Sequence, residues 1–228
     1  MLKKLIFPFI TLSIALIFFL YPEVDLSFSR LFYLENGGGF YLKNNTYVYL
    51  VHKCALLICG LFTAVGLGLA IKKFLQTRSL HFKHYKKLIY VGLVFLIGPG
   101  LIVHTVVKDH VGRPRPYEIA DFGGSVDYQE PFAISKSCTS DCSFPSGHAS
   151  VGFAVFALGF LYPSGIKRAF LNALAIALGL AIGTARIIEG GHFLSDIVFS
   201  GMIVYLVAAI LNVVIKPGYL PENNSVIK

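Results

Sequence analysis

Six long apolar runs, separated by polar and charged stretches, dominate the pattern of the chain. A helix that crosses a bilayer needs about 20 mostly apolar residues, within a range of roughly 17–25. The pattern therefore predicts an all-α, polytopic membrane protein, a single domain over residues 1–228 with six transmembrane helices. The predicted segments are residues 5–20, 54–71, 88–107, 149–162, 169–185 and 193–215.

Two of these segments are marginal in length. The first follows Met1-Leu2-Lys3-Lys4, as in a signal peptide, but no small-x-small cleavage site comes after it. We therefore interpret it as an uncleaved anchor. The fourth reaches spanning length only if it begins near Ser146, and its alternative is a re-entrant hairpin.

Lysine and arginine residues accumulate in alternate connections between the segments. The positive-inside rule assigns these connections, and both chain termini, to the cytoplasm. The opposite face then carries residues 21–53, 108–145 and 186–192. The basic residues on the predicted cytoplasmic side are Lys3, Lys4, Lys72, Lys73, Arg78, Lys83, Lys86, Lys87, Lys167, Arg168, Lys216 and Lys228.

The composition supports the membrane class. The chain is 55% hydrophobic and 14% charged, with a mean hydropathy of +0.69, whereas soluble domains carry about 25% charged residues. Its formal net charge of +8 comes without a basic-aromatic motif that fits a nucleic-acid reader. We therefore expect no nucleic-acid partner and assign the charge to membrane orientation and to anionic lipids.

Four segment ends on the predicted non-cytoplasmic face carry residues that suit an anionic ligand. Ser146 is a good helix N-cap, and free N–H groups at Ser146, Gly147 and His148 would form an anion site at a helix N-terminus. Arginine adds a planar fork that matches phosphate oxygens, and lysine adds a point charge. The cations that could converge on one anion are Lys108, Arg115 and Arg186.

Two histidines and a carboxylate on this face suggest catalysis rather than binding alone. His192 and Asp196 are four residues apart and share a face on a helix. Asp196 could hold one imidazole nitrogen protonated and leave the other free to attack, while His148 could protonate a leaving oxygen. No metal-binding spacing such as HExxH is present. We assign no role to His52, His81, His84, His104 and His110.

Each feature alone has an ordinary explanation. A lone arginine is usually solvated, Pro-Ser-Gly is a common cap, and Arg113-Pro114-Arg115-Pro116 could be a rigid charge stop. Their convergence on one face argues against these explanations. Cys138 and Cys142, with only three residues between them in a polar loop, fit neither a zinc nor a CxxC redox pattern. They predict a disulfide, because the loop is assigned to an oxidising side.

Three motifs resemble the signatures of the type-2 phosphatidic acid phosphatase superfamily. They are Lys108-x6-Arg115-Pro116, Pro145-Ser146-Gly147-His148 and Arg186-x5-His192-x3-Asp196. The resemblance implies a mechanism without metal or cofactor, in which His192 forms a phosphohistidine, Asp196 orients it and His148 protonates the leaving alkoxide. It assigns the phosphoryl oxygens to Lys108, Arg115, Ser146, Gly147 and Arg186. One departure is Ala185, where the family often has serine, so one phosphate hydrogen bond is absent.

A finer resemblance connects the chain with the bacterial lipid A phosphatases, and within them with the 4′-phosphatases. It rests on Ile97–Gly100, Gly112–Pro116, Pro131-Phe132, the Cys138/Cys142 pair before Ser143-Phe144 and the stretch from Gly190 to Asp196. The resemblance implies a multi-pass inner-membrane enzyme that removes a phosphate from lipid A at the periplasmic face, with the 4′ position favoured over the 1 position. The alternatives are an undecaprenyl diphosphate or phosphatidylglycerol phosphate phosphatase, and a non-catalytic lipid-binding or transport protein. The paired imidazoles argue against the last.

Overall fold

The structure is a computed structural model that describes residues 2–35, 37–43, 45–77 and 86–220, and these residues are mostly helical. A single two-stranded antiparallel sheet occurs in this part of the chain, formed by β1 (Tyr33–Leu34) and β2 (Gly39–Phe40). The helices are α1 (Leu2–Leu20), α2 (Glu23–Arg30), α3 (Thr46–Thr77), α4 (Lys86–Phe95), α5 (Lys108–Val111), α6 (Gly147–Phe153), α7 (Phe156–Gly159), α8 (Ile166–Ile188) and α9 (Leu194–Ile215).

Three helical stretches are long and apolar enough to cross a membrane. They are Lys86–Val107, in which α4 continues as a π-helix over Leu96–Val107, and then α8 and α9. A fourth candidate is the bent pair Phe9–Leu20 and Glu23–Arg30, with an 81° bend. Pro22 lies at this bend, where its missing N–H interrupts the helical hydrogen bonds. The described residues thus support three to four of the six predicted spans.

The fourth predicted segment is not one continuous helix. It divides into α6 and α7, which together cover Gly147–Gly159. Thirteen residues rise about 20 Å at 1.5 Å per residue, less than the ~30 Å hydrocarbon core. Between the two helices the backbone makes tighter bonds, from the Ala157 N–H to the Ala154 carbonyl at 3.0 Å and from the Ala154 N–H to the Val151 carbonyl at 3.2 Å.

A close helix crossing fixes this broken segment in the core. Gly152 on α6 faces Gly179 on α8, and a Cβ atom at Gly152 would lie 2.7 Å from the Gly179 backbone nitrogen. Phe153 fills the space next to Gly179 and Gly201, between α8 and α9. The position of α6, which begins at the predicted catalytic motif, is therefore set by packing against α8 and α9.

Part of the predicted cytoplasmic charge cannot be compared with the structure. Arg78, Lys83 and Lys228 lie outside the described residues, as do His81 and His84.

Candidate active site

Five pieces of the chain bring the predicted site residues together. Lys108 opens α5, and Arg115 follows the left-handed turn at Gly112 that ends this helix. Ser146 to His148 start α6, Arg186 lies in the last turn of α8, and His192 precedes α9, whose first turn carries Asp196. Besides burial, four neighbouring residues affect the pKa of the His192 imidazole, and these are Arg186, Arg115, Lys108 and His148. All three predicted motifs therefore meet at one place.

His192 is fully buried at the centre of this group. Its Nδ1 lies 3.4 Å from Asp196 Oδ2, so the predicted pairing is present but long. Its Nε2 is buried and has no hydrogen-bond partner among the described residues. With the Nδ1 proton directed to Asp196, Nε2 carries the lone pair that a nucleophile needs.

The environment of His192 keeps its imidazole neutral. Burial comes first, because it disfavours the charged form, and the surrounding cations add to it. Together they lower the pKa of His192 well below its ordinary value of 6.5. A neutral imidazole is the form that can act as a nucleophile, so this environment suits the role predicted for His192.

Asp196 is shared among several donors, which explains the long distance to His192. Its Oδ2 accepts a hydrogen bond from the Phe193 N–H at 2.7 Å and another from the Ser143 hydroxyl. Its Oδ1 accepts from Arg113 Nη1 at 2.6 Å. The carboxylate is thus held rigidly at the start of α9.

Two of the predicted phosphate-binding cations are paired with Asp141. Lys108 Nζ lies 2.5 Å from Asp141 Oδ1, and Arg115 Nη2 lies 2.6 Å from Asp141 Oδ2. The cations are nearly buried, whereas the Asp141 side chain is 71% exposed. Burial raises its pKa, but the hydrogen bond from Lys108 and the two positive charges outweigh this and hold the pKa of Asp141 below its usual value. An anion therefore already bridges Lys108 and Arg115.

Asp141 belongs to a short loop closed at its base. Cys138 and Cys142 are joined in the structure by a disulfide, as their spacing predicts. Between them Asp141 adopts a positive φ of 50°, and its backbone carbonyl accepts a hydrogen bond from Arg115 Nε at 2.9 Å. The loop thus presents both a carboxylate and a carbonyl to the cations.

The third cation, Arg186, forms an ion pair with Glu189, the residue that caps the C-terminal end of the same helix. Gly191 leaves room for it, since a Cβ atom at this position would lie 2.5 Å from Arg186 Nη2. Arg186 and Arg115 line a cavity of about 240 Å³ together with Lys43. A larger cavity, of about 840 Å³, is lined by Lys108, Asp141, Gly147, His148 and apolar residues such as Pro99 and Val151.

The role expected for Ser146 is partly corrected. It caps α6, accepting a hydrogen bond from the Ala149 N–H at 3.4 Å. Its own N–H is not free, because it donates to the Asp196 carbonyl at 3.2 Å. Of the three N–H groups predicted to face an anion, this one therefore serves to hold α6 against α9, while Gly147 and His148 line the larger cavity.

Several residues of the site were missed by the sequence analysis. Arg113 was interpreted only as part of a charge stop, yet it is fully buried and pairs with both Asp196 and Asp25. Asp141 and Glu189 were not considered, although each pairs with a predicted phosphate cation. The repeat of arginine before proline at Arg113 and Arg115 was the available signal that both guanidinium groups belong to the site.

The helical membrane fold and the clustered cations and imidazoles define a class, a membrane enzyme that acts on phosphate esters. Residues 88–217 match the model of the PAP2 superfamily, and the chain belongs to this family of phosphatases. The resemblance inferred from the three motifs is thereby confirmed.

Relatives with assigned activities extend the comparison. The chain is 35% identical over 193 residues to the lipid A 4′-phosphatase of Francisella tularensis subsp. novicida, covering 84% of this chain and 86% of the relative. It is 28% identical to the lipid A 4′-phosphatase of Rhizobium etli, over 81% of this chain and 76% of the relative. A lipid A 1-phosphatase of Rhizobium johnstonii is 33% identical over 58% of this chain and 50% of the relative. No solved structure matches the chain significantly.

Proposed function

We propose that this phosphatase removes a phosphate monoester from lipid A at the periplasmic face of the bacterial inner membrane, with the 4′ position favoured. The observation that carries the proposal is the cluster of Lys108, Arg115 and Arg186 around a buried, neutral His192. The relatives support the choice of substrate, because the similarity to the lipid A 4′-phosphatase of Francisella spans most of both chains.

The reaction proceeds in two displacements at phosphorus. His192 Nε2 attacks, a P–N bond forms and the P–O bond to the lipid breaks, while His148 gives its proton to the leaving alkoxide. Water then attacks the phosphohistidine and transfers a proton to His148, and the P–N bond breaks to release inorganic phosphate. Asp196 holds the Nδ1 proton of His192 throughout and stabilises the imidazolium of the intermediate.

The cations stabilise the charge on the transferring phosphoryl group, which is the main task in phosphoryl transfer. Arg115 and Arg186 offer planar forks, and Lys108 offers a point charge. Gly147 allows close approach at the start of α6, and Ser146 fixes that start by capping the helix. Because Asp141 occupies Lys108 and Arg115 in this structure, the substrate phosphate takes its place on them.

Six membrane segments, with the site at the periplasmic ends, complete the proposal. The alternation of basic connections supports this orientation. The short α6–α7 segment is compatible with a crossing because most of its residues are buried by neighbouring helices. Non-helical backbone at membrane depth is tolerated where protein surrounds it.

Mass spectrometry of lipid A tests the proposal. The protein is expressed in a host with bis-phosphorylated lipid A, and we expect loss of one phosphate, with fragmentation placing the loss at the 4′ position. His192→Ala and His148→Ala are the controls, and each should lower phosphate release by at least about 1,000-fold, since removal of a key catalytic group typically has such an effect.

A substrate panel distinguishes the alternatives. The purified protein in detergent is given lipid A, undecaprenyl diphosphate and phosphatidylglycerol phosphate, and released phosphate is measured. Unchanged lipid A together with robust release from undecaprenyl diphosphate would contradict the lipid A assignment. Near-wild-type release by either alanine variant would contradict the mechanism.

A further inference from the structure

A buried ion-pair cluster lies behind His192 and connects helix α2 to the catalytic motif. Asp25 on α2, Arg113 and Asp196 are all fully buried. Arg113 Nη2 lies 2.8 Å from Asp25 Oδ2, and Arg113 Nη1 lies 2.6 Å from Asp196 Oδ1. One guanidinium therefore bridges two carboxylates, and Asp25 lies outside the family match at residues 88–217.

The guanidinium of Arg113 is fully used in this position. Arginine has five N–H donors in a rigid fork, and each has an acceptor here. The plane also packs over the Phe193 ring, with 4.1 Å between the guanidinium carbon and the ring centroid. The acceptors are the Gln129 carbonyl, Ser195 Oγ, Asp196 Oδ1, Asp25 Oδ2 and Tyr128 Oη.

Asp25 is also attached directly to the first turn of α9. Its Oδ1 accepts a hydrogen bond from the Ser195 N–H at 2.8 Å, and its Oδ2 accepts one from the Ser195 hydroxyl. Ser195 immediately precedes Asp196. Asp25 therefore controls Asp196 by two routes, through the backbone of α9 and through Arg113.

The charge balance gives this arrangement a chemical consequence. A guanidinium paired with Asp196 alone would cancel the negative charge that Asp196 offers to His192. With Asp25 sharing the guanidinium, two carboxylates face one cation, so the formal charges of these three groups sum to −1 behind the imidazole. Such a charge stabilises the positive imidazolium that forms when Nε2 bonds to phosphorus.

We propose that Asp25 is a positioning residue of the active site, which acts through Arg113 and Ser195 to fix Asp196 and to preserve its charge toward His192. This inference rests on the proposed function. Helix α2 follows the predicted membrane anchor and lies outside the matched family region. The inference makes this helix a part of the catalytic apparatus.

Steady-state kinetics of Asp25→Asn test the inference, because this change keeps the shape of the side chain and removes its charge. We expect kcat to fall about 10–100-fold, the range typical when a residue that orients an active-site side chain is replaced. KM should change less than about 3-fold, because the cations proposed to bind the phosphate are unaltered. Glu23 is exposed on the same helix, so Glu23→Gln is the matched control and should leave both parameters within about 2-fold.

Two further measurements separate positioning from a purely structural role. Alkaline quenching of the folded enzyme with ³²P-labelled substrate, which preserves the acid-labile P–N bond, should show slower formation of the phosphohistidine in Asp25→Asn. Arg113→Lys keeps the charge but loses the fork, so its kcat should lie between those of the wild type and Arg113→Gln.

If Asp25→Asn does not fold, Ser195→Ala keeps the inference testable. This change removes only the hydroxyl that donates to Asp25 and accepts from Arg113. We expect its kcat to fall about 3–10-fold at an unchanged folded fraction, measured by thermal unfolding and size-exclusion chromatography. An active wild type with unchanged kcat in folded Asp25→Asn or Ser195→Ala overturns the inference alone. A wild type without phosphatase activity overturns the proposed function and the inference with it.

Discussion

Asp141 is the side chain that most directly competes for two of the cations proposed to bind phosphate. Its carboxylate bridges Lys108 and Arg115, with N–O distances of 2.5 and 2.6 Å. The loop that carries it is closed by Cys138 and Cys142, so the carboxylate stays near the site when it is displaced. A substrate phosphate, with a higher charge than a carboxylate, can take over both cations.

Asp141→Asn should therefore strengthen binding of phosphate. Solvent-accessible ion pairs contribute about 0.2–1 kcal/mol each, so loss of two pairs should lower KM roughly 2–30-fold with kcat within about 2-fold. Inhibition by inorganic phosphate should become tighter by the same factor. Asp127→Asn, an exposed carboxylate in the same loop region, is the control and should change neither value. An unchanged or higher KM in Asp141→Asn would contradict the competition.

At this scale the sequence predicted residues that belong to a helical spacing or to one of the three motifs, and missed those whose contacts follow neither. His192 and Asp196 are four residues apart, so helical periodicity alone places them on one face. Arg113 finds Asp196 and Asp25 across 83 and 88 residues, and no local pattern encodes such contacts. Asp141 looked like an ordinary loop carboxylate, because its partners are set by the fold of the loop.

The contact between α6 and α8 is the element-scale feature on which the site depends. His148 lies on α6 four residues before Gly152, and Gly152 meets the backbone of Gly179 on α8. Backbone atoms cannot move aside as a flexible side chain can. Any atom added at Gly152 must therefore move α6, and His148 with it.

Gly152→Ala should destabilise the protein and lower its activity. Overpacking of this kind costs about 1–3 kcal/mol, so we expect a lower unfolding temperature in detergent and a reduced kcat because His148 is displaced. A Cβ atom at Gly68 on α3 would meet nothing within 4 Å in the described part of the chain. Gly68→Ala is thus the matched control and should be neutral or more stable by up to about 1 kcal/mol. Equal behaviour of the two variants would argue against a critical crossing.

The helices could be predicted from the sequence where a long apolar run alone defines them. Residues 169–185 lie within α8, and residues 193–215 correspond to α9 with its N-cap, because long uninterrupted apolar runs specify long helices. The break in the fourth segment was not predicted because it reflects tertiary packing: small residues allow α6 and α7 to be enclosed by other helices. The contact of α2 with the site was also missed. The sequence of α2 is largely polar, and only the folded structure shows that Asp25 accepts a hydrogen bond from α9.

On the scale of the whole molecule, the distribution of charge relates the site to the membrane. The predicted non-cytoplasmic connections contain the site, while the predicted cytoplasmic ones collect most of the lysine and arginine residues. Half of the eight cations on the predicted non-cytoplasmic side are buried in ion pairs, namely Lys108, Arg113, Arg115 and Arg186. These cations are paired within the site. The predicted orientation of the chain is therefore set by the basic residues on the predicted cytoplasmic face.

Cysteine labelling in intact spheroplasts tests this orientation. Native Cys54 and Cys59 are replaced by serine and Cys138 and Cys142 by alanine, and then Leu80→Cys or Ser125→Cys is introduced singly. Ser125 is exposed in the connection between Arg115 and His148, so it reports the side on which the site lies, whereas Leu80 belongs to the basic connection before α4.

A membrane-impermeant maleimide should label Ser125→Cys in intact spheroplasts and should label Leu80→Cys only after the membrane is permeabilised, because the positive-inside rule retains the basic connection in the cytoplasm. Detergent-solubilised samples, in which both positions must react, control for intrinsic accessibility. Labelling of Leu80→Cys with protection of Ser125→Cys would reverse the topology and place the site in the cytoplasm. Lipid A exposed on the periplasmic side would then be out of reach, so this single experiment also constrains which lipids can be substrates.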